Sequence, residues 1–139
     1  MAASFSERCD AIEECYEFLL AYAGQGLPSD EGSKSGAQVR GFLSRAVEAL
    51  LGIAESCAEA AGEAGLEPSA KYHHFVAVMD RDGRDSLAAL ELVLAQDTIS
   101  SQLIDNLNAS IHIRALLTDL FLFDEILKAQ RKPKPTVTG

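Results

Sequence analysis

Four stretches of the chain repeat their apolar residues in steps of three and four, the spacing of a helix buried along one face. In the first, 4–23, Phe5, Cys9, Ile12, Tyr16, Leu19 and Ala23 share one side, Cys15, Phe18 and Tyr22 widen it, and Glu13, Glu14 and Glu17 lie largely opposite. Ser4 and Glu7 have capping-box spacing, a hydroxyl at the N-cap and a carboxylate three residues on. The second, 35–64, sets Val39, Leu43, Ala46, Leu50, Ile53, Cys57, Ala61 and Ala64 against Arg45, Glu48, Glu55, Glu59 and Glu63. Gly65 and Pro68 end it. The third, 69–96, runs its stripe of Tyr72, Val76, Met79, Gly83, Leu87, Leu90 and Leu94 straight through the charged run Asp80 to Asp85. That continuity predicts one helix in spite of Gly83, which costs about 1 kcal/mol against Ala. A glycine on the inner stripe predicts close approach of another helix, or room for a small ligand.

The fourth stretch, 98–130, opens at Thr98 as N-cap and carries Leu103, Leu107, Ile111 and Phe121 on one side. A polar line of Ser101, Asp105, Asn108, His112 and Asp119 predicts its solvated face. The longest connection, 24–36, has the Gly, Pro, Ser and Asp content of turns and predicts a mobile loop. No stretch alternates with the period of a strand. The pattern therefore predicts an all-α protein, an antiparallel up-down four-helix bundle forming a single domain over 1–130, with 131–139 a disordered tail.

Past Ile111 the apolar surface of the fourth helix covers most of its circumference. A helix apolar nearly all round must be covered on more than one side, and in a short chain a second subunit is the simplest cover. Ile113, Leu116, Leu117, Leu120 and Phe123 are thus the expected interface of a homodimer. Arg114 projects into this apolar surface. Its stem can cover neighbours while its head reaches water. It can equally make a buried ion pair, or hold an anion. Asp82, with Ser86 one turn on, is the candidate partner: Asp82 and Arg114 stand at similar heights if the third and fourth helices pack antiparallel about a turn near 97–98.

Composition narrows the function classes. The chain has 139 residues, 47% of them apolar, and a net charge of -9. That charge argues against nucleic acid, where phosphate contacts dominate affinity, and against an anionic membrane surface. It suits a basic protein partner. Arg114, Asp119, Asp124 and Glu125 interrupt the most apolar run, so a membrane span is not expected. Three cysteines, Cys9, Cys15 and Cys57, form no CxxC pair and fit a reducing, cytoplasmic setting without a signal peptide.

Known chemical motifs fail on spacing. Gly32 to Gly36 lacks the GxxxxGK[ST] spacing of a phosphate loop, and no strand precedes it. No Glu stands three residues before His73, His74 or His112, as a ferritin-like di-iron site requires, and there is no CxxCH for haem. Asp80, Asp82 and Glu91 match three positions of an EF-hand, but its sixth position is Asp85 and not Gly. His73 and His74 diverge by about 100° on a helix and read as surface residues. His112 is followed by Ile113, Arg114, Ala115 and Leu116, so the Gly and the spacing of phosphotransfer domains are missing. Glu13, Glu14 and Glu17 are similar in spacing to the first half of the magnesium site of all-α nucleotide pyrophosphohydrolases. The second half of that site, a Glu-x-x-Asp on the next helix, is missing; Glu7 and Asp10 have the spacing but precede it.

No cofactor and no metal site is expected. The reading that fits best is a non-enzymatic interaction protein (an adaptor, small chaperone or regulatory subunit) acting through an apolar helix surface. The alternatives are a ligand-binding bundle with Arg114 as anchor, and a metal-dependent phosphohydrolase using Glu13, Glu14 and Glu17.

Overall fold

The computed structural model describes residues 3–131; of the expected tail, 131–139, Arg131 is the last residue of a helix and 132–139 lie outside the described residues. The described residues are all helical in their regular structure, with six helices: α1 (Phe5–Ala23), α2 (Lys34–Leu50), α3 (Ile53–Glu63), α4 (Ser69–Leu94), α5 (Ser101–Ala109) and α6 (His112–Arg131). The all-α expectation holds, but the number of helices does not. The second and fourth stretches are each two helices, because local backbone chemistry interrupts a side-chain pattern that runs on regardless.

At the first break Leu51 is extended and Gly52 takes a left-handed φ of 82° as N-cap of α3. Only glycine adopts that conformation without steric cost. The side chain of Arg8 covers the opening, donating to the carbonyls of Glu48, Ala49 and Leu51 that α2 leaves unpaired. At the second break Ser110 is extended and its hydroxyl donates back to the carbonyl of Leu107. A serine side chain that satisfies the last turn in this way competes with helix continuation.

Other ends follow the residues more directly. Ser4 and Glu7 form the expected capping box, Ser4 Oγ accepting from Glu7 N at 3.1 Å and Glu7 Oε1 accepting from Ser4 N at 3.3 Å. Gly65 (φ 62°) ends α3, and the N–H of Leu66 reaches back to the carbonyl of Ala61. The buried Leu66 then fixes the exit of the chain. α5 is capped by Ser100 and not Thr98, the Ser100 hydroxyl accepting from Leu103 N at 3.0 Å. α4 runs unbroken through Gly83, as expected. Gly83 is buried against α3: a Cβ there would stand 3.2 Å from Ile53 Cγ2.

α6 lies between α1 and α4 and is covered by both within one chain. Phe123 shows how: its ring meets Phe5 of α1 edge-on at 5.8 Å, Tyr72 of α4 edge-on at 6.1 Å and stacks on Phe75 of α4 at 6.3 Å. The wide apolar girth read as a subunit interface is therefore core. Ile113, Leu116, Leu117, Leu120 and Phe123 are each no more than 5% exposed in the single chain.

The loop at 24–33 is not loose. Asp30 accepts from the Ile99 N–H at 2.8 Å and from Arg40 Nε at 2.9 Å. Arg40 also donates to the carbonyls of Leu94, Gln96 and Asp97 at the end of α4. Leu27 exchanges backbone and side-chain bonds with Ser101, and Tyr22 donates to the Ile99 carbonyl at 2.7 Å. The loop is thus tied to both ends of the turn between α4 and α5.

Candidate functional site

α1 and α6 run in opposite directions, since Phe5 meets Phe123 while Leu19 accepts from Asn108 just before α6. Their outer edges leave a groove of about 390 Å³. One wall is Glu13, Tyr16, Glu17 and Leu20; the other is Arg114, Leu117, Thr118 and Phe121. Both sets have the spacing i, i+3, i+4, i+7, so each forms a single line along its helix. The α1 line reads charged, aromatic, charged, apolar, and the α6 line charged, apolar, polar, apolar. Because the helices are antiparallel, Glu13 lies toward Phe121 and Leu20 toward Arg114. Leu20 and Phe121 are both 49% exposed. Leu117, at 5%, is the floor.

Arg114 is exposed on this edge, and among the described residues it enters no ion pair. The expected pairing with Asp82 does not form. Asp82 faces Asp119 instead, across the contact of α4 with α6. The reason is angular: Arg114 and Asp119 are five residues apart, so they project about 140° apart on one helix. The height match assumed an unbroken helix from Thr98, and the break at Ser110 shifts the register.

Asp119 was expected on a solvated face but is 9% exposed, and its Oδ2 has no hydrogen-bond partner among the described residues. Burial, and then the neighbouring Asp82, push its carboxyl up from an ordinary 3.8 to about 7. Ser86 is fully buried on the same seam, but its hydroxyl donates to the backbone carbonyl of Asp82 at 2.8 Å and not to a carboxylate. Ser101 and Asn108 also turn inward from the line read as solvated: Ser101 donates to Tyr22 O at 2.6 Å, and Asn108 donates to Leu19 O at 3.1 Å.

The other candidates separate. Glu13 and Glu17 line the groove; Glu14 is exposed elsewhere on α1. Among the described residues no three His, Cys, Asp or Glu side chains come together as metal ligands would. His73 and His74 are exposed, as expected, and His112 is half-buried at the start of α6. Cys9, Cys15 and Cys57 are buried free thiols, each pushed up to about 12, foremost by burial. At neutral pH they are protonated and poor nucleophiles.

Two features went unread in the sequence. Leu20 hides beside Leu19, and its role depends on α6 being the neighbour of α1. Asp30 and Arg40 lie ten residues apart, across a loop whose path no periodicity reveals. The signal that was present is the i, i+3, i+4, i+7 line from Glu13 to Leu20, a second stripe beside the core stripe of α1. Among the described residues no helix is long and apolar enough to cross a membrane. No family model matches the chain, and neither a curated protein nor a solved structure matches it.

Proposed function

We propose that this chain is a non-enzymatic docking protein whose α1–α6 groove receives an amphipathic segment of another protein. The observation that carries the reading is the pair of half-exposed apolar side chains, Leu20 and Phe121, set across a groove with charged ends. A volume of about 390 Å³ suits a few anchoring side chains, not a whole helix, and helix-in-groove recognition works through such anchors at one-turn spacing. Glu13 and Glu17 on one wall and a net charge of -9 favour a basic segment. The six helices provide the frame as four antiparallel rods, the second broken at 51–52 and the fourth at 110–111. A reducing, cytoplasmic setting fits three buried thiols with no disulfide among them.

A second copy of the chain is the alternative occupant of the groove. Two bodies of like charge -9 work against it, and the residues first expected at such an interface are core. A second reading, a small amphiphilic anion held by Arg114, is favoured by the unpaired guanidinium at the edge of the same groove.

A fluorescent basic amphipathic peptide, followed by anisotropy, separates these readings. Leu20→Glu and Phe121→Glu are expected to weaken its binding at least about tenfold, the effect of losing one buried anchor. Arg114→Ala is expected to leave it within about threefold, because a basic peptide gains little from a cation. Equal affinity in all variants would sink the docking reading. Loss of a fatty-acid-like anion in Arg114→Ala, with no peptide binding to the wild type, would support the second one.

A further inference from the structure

The seam between α4 and α6 carries apolar side chains toward both ends. Phe75 stacks on Phe123 toward one end, and Leu90 lies with Ile113 and Leu116 toward the other. Between them stand Asp82 and Asp119, two carboxyls facing each other with one buried oxygen left unpaired. No cation among the described residues answers them. Arg114 points into the groove on the far side of α6, Arg84 is paired with Asp80, and Lys128 is paired with Asp124. On α4 itself Arg81 and Asp85 are exposed. The other helix packed on α6, α1, brings Glu13 and Glu17 to the groove near it, which adds negative charge and not positive. Ser86 has spent its proton on a backbone carbonyl.

We propose that Asp82 and Asp119 are a proton-operated latch: one proton, shared between the two carboxyls, holds the α4–α6 seam shut, and its release to solvent loosens the seam. Two carboxylates within hydrogen-bond reach in a half-buried site cannot both ionise without repulsion, whereas a carboxylic acid donating to a carboxylate is a strong, short bond. The proton therefore also supplies the partner that the buried Oδ2 of Asp119 lacks. The upward displacement of the Asp119 carboxyl to about 7 sets the range in which the latch works, with release as pH rises through neutrality. Val78 lies one turn before Asp82 and Leu122 one turn after Asp119, and both are already exposed. Loosening the seam would add Phe75 and Phe123 to that apolar surface. The inference does not depend on the docking reading of the α1–α6 groove.

The test is thermal unfolding of the wild type, Asp119→Asn and Asp82→Asn at pH 5.5 and pH 8.0. An amide at either position imitates the protonated acid. The wild-type midpoint is expected to fall by roughly 5 °C or more over this range. Each variant is expected to lose most of that fall, and Asp119→Asn to lie above the wild type at pH 8.0. Either a variant that follows the wild-type profile, or an Asp119→Asn midpoint below wild type at pH 8.0, would overturn the latch. Magnesium or calcium raising the wild-type midpoint at pH 8.0, but not that of Asp119→Asn, would overturn it too, because the pair would then hold a metal ion and not a proton.

Discussion

Asp30 and Asp119 respond to protonation with opposite signs. The Ile99 N–H foremost, and then Arg40, hold the Asp30 carboxyl below its ordinary value. Its stabilising effect is present above the unfolded value of 3.8 and is lost as pH falls through the lower folded value. Asp119 is raised, so its effect is fully present below 3.8 and is lost as pH rises through about 7. Together they place maximum stability near pH 4, with a decline from there to about pH 7, and a series of denaturant midpoints from pH 3 to 8 would show it. A plateau extending to pH 8 would contradict the assignment of Asp119. At the same scale, Gly36 has no room for a side chain: a Cβ would stand 2.1 Å from the carbonyl oxygen of Asp30. Gly36→Ala is therefore expected to cost about 2–3 kcal/mol in urea unfolding, with the Asp30 loop displaced. The three thiols are expected to resist Ellman's reagent in the native protein and to react fully in denaturant, in keeping with their burial.

Helix identity was readable from spacing, and helix continuity was not. Period and capping describe which side chains face inward and where a helix can start, so α1 with Ser4 and Glu7, and α4 through Gly83, could be read directly. The breaks at Gly52 and Ser110 interrupt the backbone without interrupting the apolar stripe, and a stripe cannot report them. In the fourth stretch, the placing of Asp119 in solvent and of Arg114 opposite Asp82 assumed a helix unbroken at Ser110. The inward turn of Ser101 and Asn108 follows instead from the packing of α5 on α1, and the core face from the cover of α6 by α1 and α4. Of the candidate site, Arg114, Glu13, Glu17 and Phe121 were visible as residues, but the groove requires knowing that α1 and α6 are neighbours. The α2–α3 break depends on a left-handed backbone at Gly52, and Gly52→Ala is expected to cost about 1–2 kcal/mol, measured by thermal unfolding. The junction of α4 with α5 depends on Arg40, whose three carbonyl partners and Asp30 all lose a donor in Arg40→Ala. About 2–3 kcal/mol is expected there, and a change below about 0.5 kcal/mol would mean that water replaces the guanidinium at no cost.

On the scale of the whole molecule, two of the exposed apolar side chains, Leu20 and Phe121, share one groove, and Glu13 and Glu17 stand within the same line of α1. Leu51, Val78, Leu92, Ile111 and Leu122 are exposed outside it. The core explains why α6 is apolar nearly all round, since α1 and α4 both cover it, but not why Leu20 and Phe121 stand across an open groove. The proposed docking accounts for that pair. The most direct measurement is an amide chemical-shift map of the isotope-labelled protein titrated with a basic amphipathic peptide, paired with light scattering of the protein alone. The expected result is a monomer whose largest shifts fall at Tyr16, Leu20, Leu117 and Phe121, and whose map is erased in a folded Leu20→Glu, Phe121→Glu double variant. Shifts centred on another face, or a dimer that the double variant converts to monomer, would contradict a groove kept for a different protein.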